Sequence, residues 1–308
     1  MLPPRRFFPS FSLLIAFEAA ARTGSVTAAA RELGLTQSAV SRQITALESQ
    51  LGAALFLRER QTIRLTLAGD TYAREVREAL RRISSASLNL RANPSGGTLN
   101  LAVLPFFGAR WLTPRIGRFC EKHPGMMINL ITRLEPFDFR FDTLDAAIHF
   151  VEPRWPGAEL TFLLQEDVLP VCSPDFKAKH GLQTPEDVLK APLLHLNSRP
   201  DAWEIWLRSR SILFEALHGM LFDQFAPMVE AAAAGLGAAL LPRFLISREL
   251  DQGLLIPAIE NGGIDTSGYH LAYPPDRASY PPLKTFRAWL LDEIAADTTI
   301  RDRLRTPA

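Results

Sequence analysis

Thr36, Gln37, Ser38, Ser41 and Arg42 fall within seven residues and share one chemistry, hydrogen bonding directed outward from a short helix. A glutamine amide can pair bidentately with adenine, serine hydroxyls serve a base edge or a phosphate, and a guanidinium reaches guanine or phosphate. Thr36, at the start of the run, caps the helix and is placed to touch phosphate as well. Arg58 and Arg64 flank a polar turn further on and suit the sugar-phosphate backbone, where contacts position a protein without reading sequence. This is the chemistry of recognition, not of bond breaking.

The elements that would carry these groups are legible around them. Residues 25–45 read as two short helices meeting at a tight turn. Ser25 and Thr36 can each accept an orphan backbone N–H at a helix start. Ala30 is small enough for a close helix crossing, and Gly34 supplies the positive φ of a sharp helix stop. Leu33, Leu35, Val40 and Ile44 are expected inside, with Gln37, Ser38, Ser41 and Arg42 on the opposite face. That is a helix-turn-helix whose second helix offers its side chains to a major groove; an ordinary helical hairpin is the plain alternative. Charge favours the former. Residues 1–92 hold 13 arginines, no lysine and 7 acidic residues, a net +6, whereas the remainder carries 21 basic and 26 acidic residues, a net −5. A basic module beside an acidic remainder suits a polyanion at one end only.

Other chemistry finds little footing. There is no His-Glu-x-x-His, Cys-x-x-Cys, P-loop or Gly-x-Ser-x-Gly. Gly235-Leu236-Gly237 follows a helix and precedes a strand, the reverse of a dinucleotide loop. Six histidines and two cysteines show no metal-ligand spacing. No catalytic residue, cofactor or metal is therefore expected. No run of 18 apolar residues spans a membrane, and the first ten residues lack a secretory apolar core, so the cytoplasm is the expected compartment. Cys120 and Cys172 are expected to be reduced and buried.

Organisation along the chain supports this division. A first helix covers residues 11–23, and short strands at 55–58 and 63–65 would hold residues 59–62 as a wing. Thr66 caps a long helix running to about residue 91. Its stripe of Tyr72, Val76, Leu80 and Ile83 needs a partner surface. A second copy would supply one and make a homodimer; the chain's own domain is the alternative. Residues 93–97 form a break. Beyond it, strands expected at 98–104, 127–132, 145–150, 168–172, 238–241 and 269–273 alternate with helices, an α/β pattern with parallel strands expected.

The helix-turn-helix continues through Leu47-Glu48-Ser49-Gln50-Leu51-Gly52 and Leu55-Phe56-Leu57-Arg58 to Leu65-Thr66-Leu67-Ala68-Gly69. With this long, ordered signature, the chain resembles the LysR-type transcriptional regulators over nearly its whole length. Trp111-Leu112-Thr113-Pro114-Arg115, Asp145-Ala146-Ala147-Ile148-His149-Phe150, Trp155-Pro156-Gly157 and Pro170-Val171-Cys172-Ser173-Pro174 are similar to the subgroup that holds the glycine-cleavage activator and β-lactamase-inducing regulators. The resemblance implies an N-terminal all-α winged helix-turn-helix domain (9–66, motif 26–45) and a linker and dimerisation helix (67–92). It further implies a C-terminal α/β two-lobed domain like a periplasmic binding protein (97–308; lobe one 98–170 and 267–308, lobe two 171–266). Implied partners are double-stranded DNA, RNA polymerase, a second copy through the linker helix, a dimer of such dimers, and a small-molecule effector between the lobes; none is a membrane.

Two departures from the family pattern stand out. The wing has Gln61 beside Arg60 where many relatives carry a basic residue, and Pro105-Phe106-Phe107 follows the first strand of lobe one where relatives often have small hydroxyls. Candidate effector contacts, taken from strand ends where open α/β sheets bind ligands, are Pro105, Phe106, Arg133, His149, Val151 and Phe225. Each also fits a plain core or surface role, and Arg133 is the one fixed positive charge of the set. The rival readings are a solute-binding receptor or an α/β enzyme with an incidental helical domain. Salt-dependent DNA binding by residues 1–92 separates both from a regulator.

Overall fold

Side-chain caps start three successive helices of the N-terminal unit. After α1 (Phe11–Thr23), Ser25 Oγ accepts from Ala28 N at 3.3 Å to open α2 (Val26–Leu33), and Thr36 Oγ1 accepts from Ala39 N at 3.2 Å to open α3 (Gln37–Leu51). Strands β1 (Phe56–Arg58) and β2 (Ile63–Leu65) pair antiparallel. Thr66 Oγ1 then accepts from Gly69 N at 2.9 Å to open α4 (Leu67–Ala92). Gly34 takes φ +65° at the turn of the motif. The computed structural model describes residues 7–58, 63–92, 97–151, 154–297 and 300, with the backbone alone at Arg58, Asn89, Ala92 and Val151. The expected wing tip (59–62) and most of the expected break (93–96) lie outside the described residues. The chain divides into two compact units, Met1–Pro94 and Ser95–Ala308.

The first unit closes on a small core. Ala16, Ala19, Ala20, Ala29 and Ala30 let the helices approach closely, and Phe17, Val40, Ile44, Leu47, Leu55, Phe56 and Val76 supply the apolar bulk. Glu48 Oε1 accepts from Leu55 N (2.8 Å) and Phe56 N (3.1 Å), tying the end of α3 to β1. Leu35, expected inside, is exposed, because it lies in the turn beyond the helix stop and belongs to the inner face of neither helix. The stripe on α4 is divided. Val76 is buried in this core, with Tyr72 and Leu80 packed on it, and Arg77 Nε donates to Glu18 on α1 at 2.9 Å. Ile83, Leu88 and Leu90 are exposed. The chain's own domain thus takes the first half of the stripe.

The second unit is built on one nine-stranded sheet. Its elements are β3 (Thr98–Val103), α5 (Pro105–Phe107), a π-helical turn (Gly108–Leu112), α6 (Thr113–Lys122), β4 (Met127–Thr132), β5 (Ala146–Val151) and β6 (Glu159–Cys172). There follow α7 (Pro174–His180), β7 (Leu193–Leu196), α8 (Ala202–Arg208), β8 (Gly219–Phe222), α9 (Phe225–Ala233) and β9 (Ala238–Pro242). The last are α10 (Ser247–Asp251), β10 (Ile256–Pro257), β11 (Ile264–Tyr273) and α11 (Pro281–Ala296). Strand order is β4-β3-β5-β11-β6-β9-β7-β8, with β10 on β6. Parallel pairing holds within each half, β4-β3-β5 and β9-β7-β8. The long strands β6 and β11 are antiparallel to each other and to their outer neighbours, and they join the halves. The expectation of parallel strands is corrected at these two crossings.

The cysteines differ from each other. Cys172 ends β6 in the core, and burial pushes its thiol up to about 11. Cys120 is exposed on α6, one position past the buried Phe119 and so rotated off the inner face. Because the thiolate is the nucleophile, iodoacetamide at pH 8 should modify Cys120 and spare Cys172 until denaturant is added. Equal labelling of both in the folded protein would contradict the burial.

Candidate nucleic-acid interface and cleft

Helix α3 presents its polar residues together. Gln37, Ser38 and Arg42 are exposed and Ser41 is half-buried, while Val40, Ile44 and Leu47 point into the core. Thr36 Oγ1 serves the cap and shares a hydrogen bond with Ser38 Oγ at 3.1 Å. Gln37, Ser41, Arg42 and the exposed Arg64 on β2 make no side-chain hydrogen bond or ion pair among the described residues, so their hydrogen-bonding capacity is open. Arg58 closes β1 opposite Ile63, and its side chain lies outside the described residues.

A cleft of about 430 Å³ opens in the second unit, with Phe150, Trp203, Phe225 and Met228 among its walls. Beneath it lies a buried polar cluster that periodicity alone does not reveal. Glu166, on β6, is fully buried. It accepts from both terminal nitrogens of Arg199, from Thr266 Oγ1 at 2.9 Å and from Tyr269 Oη at 3.0 Å. Thr266 and Tyr269, three apart on β11, would face opposite sides of a regular strand. The ladder slips by one residue between the pairs Asp265–Asp167 and Gly268–Gln165, and this bulge lets both reach the same carboxylate.

Arg199 sits in the turn after β7, with its N–H donating to Leu196 O at 2.9 Å. Its guanidinium lies 3.8 Å from the ring centre of Phe150 and 5.0 Å from that of Phe225. Burial opposes the charge of Arg199, but Glu166 outweighs it and the guanidinium is held more firmly protonated than usual. Burial, reinforced by Glu166, drives the Tyr269 phenol well above its ordinary range, so it remains a donor.

The six residues expected at an effector site separate. Phe225 lines the cleft, and Phe106 packs against it with ring centres 5.8 Å apart. Pro105 opens α5 as the neighbour of Phe106. Arg133 is bound instead to Asp142 at 3.4 Å. His149 is enclosed, its ring nitrogens engaged with the carbonyls of Phe150 (3.1 Å) and Leu134 (2.9 Å), and burial lowers its pKa. Val151 ends β5, and its side chain lies outside the described residues. The guanidinium at the cleft is that of Arg199.

Comparison with known proteins joins the two units. The chain matches the family descriptions "Bacterial regulatory helix-turn-helix protein, lysR family" over residues 11–70 and "LysR substrate binding domain" over residues 92–295. It belongs to the LysR family. The LysR-type assignment extends along the chain. It is 33% identical to the glycine cleavage system transcriptional activator of Escherichia coli (strain K12) over 94% of this chain and 95% of that one. It is 37% identical to the transcriptional regulator TrpI of Pseudomonas aeruginosa over 94% of this chain and 99% of that one. The solved effector domain of the regulator AmpR of Pseudomonas aeruginosa matches with a TM-score of 0.61 at 29% identity, over 67% of this chain and 99% of that one. This LysR-type protein is a DNA-binding transcriptional regulator with an N-terminal helix-turn-helix and a C-terminal α/β effector-binding domain. Among the described residues, no helix is long and apolar enough to cross a membrane, and no group of three or more His, Cys, Asp or Glu is placed to hold a metal.

Proposed function

We propose that α3 reads DNA through Gln37, Ser38, Ser41 and Arg42, with Thr36, Arg58 and Arg64 fixing the module on phosphates. The observation that carries this is the polar face of α3, on which Gln37, Ser41 and Arg42 make no side-chain hydrogen bond or ion pair among the described residues, on a well-capped helix in a net-positive module. The domain divisions of the sequence reading are kept in this proposal. The cleft beside Phe225 and Arg199 is taken as the effector site, and an effector that favours one arrangement of the two halves shifts the population of DNA-binding states. Exposed Ile83, Leu88 and Leu90 on α4 support pairing with a second copy, and a dimer of dimers extends it. The activator named above supports RNA polymerase as a further contact. The reading places the protein in the cytoplasm and gives it no catalytic step and no cofactor.

The test is a salt series of affinities on DNA from upstream of the protein's own gene. Arg64→Ala should weaken all sequences about equally and reduce the salt slope by about one. Gln37→Ala should relax preference at one base position, at about 1–3 kcal/mol of discrimination. Sequence-blind binding that Gln37→Ala leaves unchanged would overturn the assignment of α3 as the reading helix.

A further inference from the structure

The cleft holds a guanidinium that is already matched. Among its described lining residues Arg199 is the one fixed cation, and Glu166 beneath it accepts from both of its terminal nitrogens. At the cleft the pair sums to zero. An incoming carboxylate could take the place of Glu166 only by stranding a fully buried carboxylate, which is strongly unfavourable. The remaining fixed charge on the lining is acidic, Asp201 at the start of α8 and Asp265 on β11. Asp201 is exposed and makes no cap hydrogen bond, and its charge offsets the partial positive end of α8 that would otherwise favour an anion. The other helix opening here, α9, begins Phe225-Ala226-Pro227, so an aromatic ring and a residue without an N–H occupy its first turn. Burial lowers the pKa of His195, the remaining titratable group on the lining, and so disfavours a second cation there.

Apart from the uncharged hydroxyl residues Ser198, Thr266 and Ser267, the rest of the lining is apolar, with Phe150, Phe225 and Met228 facing a space of about 430 Å³. That is near the small end of ligand pockets and suits one ring with a short side chain. Resting on the reading of this cleft as the effector site, we propose that its ligand is an organic cation, an ammonium group carried on an apolar body. The body lies against Phe225 and Met228, and the ammonium lies beside Asp201.

The experiment titrates the full-length protein calorimetrically with three probes that share one body: 2-phenylethylamine, 2-phenylethanol and 3-phenylpropanoate. The amine should bind about tenfold tighter than the carboxylate, with the alcohol between them. Asp201→Asn should bring the amine close to the alcohol. Ile205→Trp, at an exposed position of the lining, should fill the cleft and abolish binding without disturbing the core. A carboxylate that binds more tightly than the amine, and loses its binding in Ile205→Trp, overturns the cation proposal and leaves the effector cleft standing. Amine binding indifferent to both substitutions places the ligand elsewhere and overturns both. Absence of amine binding at millimolar concentration, in protein that still binds DNA, overturns the cation proposal alone.

Discussion

Arg199→Ala should destabilise the second unit by about 3–5 kcal/mol, because it removes the partner of a buried carboxylate. Glu166 is fully buried, and without the guanidinium its donors among the described residues would be Thr266 and Tyr269. Arg199→Lys should rescue little, since an ammonium cannot reproduce the two-pronged contact or the stacking on Phe150. Replacing both partners together, Arg199→Met with Glu166→Gln, should recover much of the loss. Tryptophan fluorescence during urea denaturation reads this cleanly: all five tryptophans (111, 155, 203, 206 and 289) lie in the second unit. A loss below about 1 kcal/mol at pH 7, the range of exposed pairs, would mean that Glu166 is reached by water.

Gly69→Ala should have a comparable effect in the other unit. A Cβ at Gly69 would lie 2.0 Å from Leu55 O and 2.9 Å from Leu55 C. Both are backbone atoms and cannot rotate away. The start of α4 would have to leave β1, breaking the bond from Thr66 N to Leu55 O (3.0 Å) and the anchoring of Thr66 Oγ1 on Ala54 O (2.9 Å). Overpacking of this kind costs about 3 kcal/mol. The alanine-rich core of the first unit has little reserve against it. The helical circular dichroism of the variant should begin to fall at lower urea, while the tryptophan transition stays in place. DNA affinity should fall with the helical signal. An unchanged helical transition would show that α4 can shift at no cost.

These two sites mark where the sequence was transparent and where it was opaque. The first unit is held by local chemistry: Ser25, Thr36 and Thr66 cap, Gly34 turns, and the polar face of α3 is separated from its apolar face at helical spacing. Each signal lies within four residues of the structure it makes. The boundary of β6 was lost because Gln165-Glu166-Asp167 interrupts the apolar run, so only 168–172 read as a strand of what is Glu159–Cys172. The charge is satisfied by Arg199, 33 residues on, and by Thr266 and Tyr269, 100 and 103 residues on. No periodicity announces such a partnership, and Asn197-Ser198-Arg199-Pro200 has the composition of an ordinary turn. Arg133 and His149 drew notice by their places near strand ends, but Asp142 and two carbonyls engage them. Proximity to a strand end is a fold-level rule; which side chain stays open is decided by contacts that form only after folding.

The sheet of the second unit is one ladder, and its two halves have no separate edges where they meet. Strands β6 and β11 belong to both, hydrogen-bonded to each other along the crossing. One half therefore cannot slide past the other without breaking rungs, whereas a change of twist along this two-stranded ribbon leaves the rungs intact. The register slips beside Glu166 and again between Tyr269 and His270, and bulges of this kind add local twist. If the cleft is the effector site proposed above, the expected response to a ligand is torsion of this ribbon, which would turn the strands on either side of it, out to β4 and β8, relative to one another.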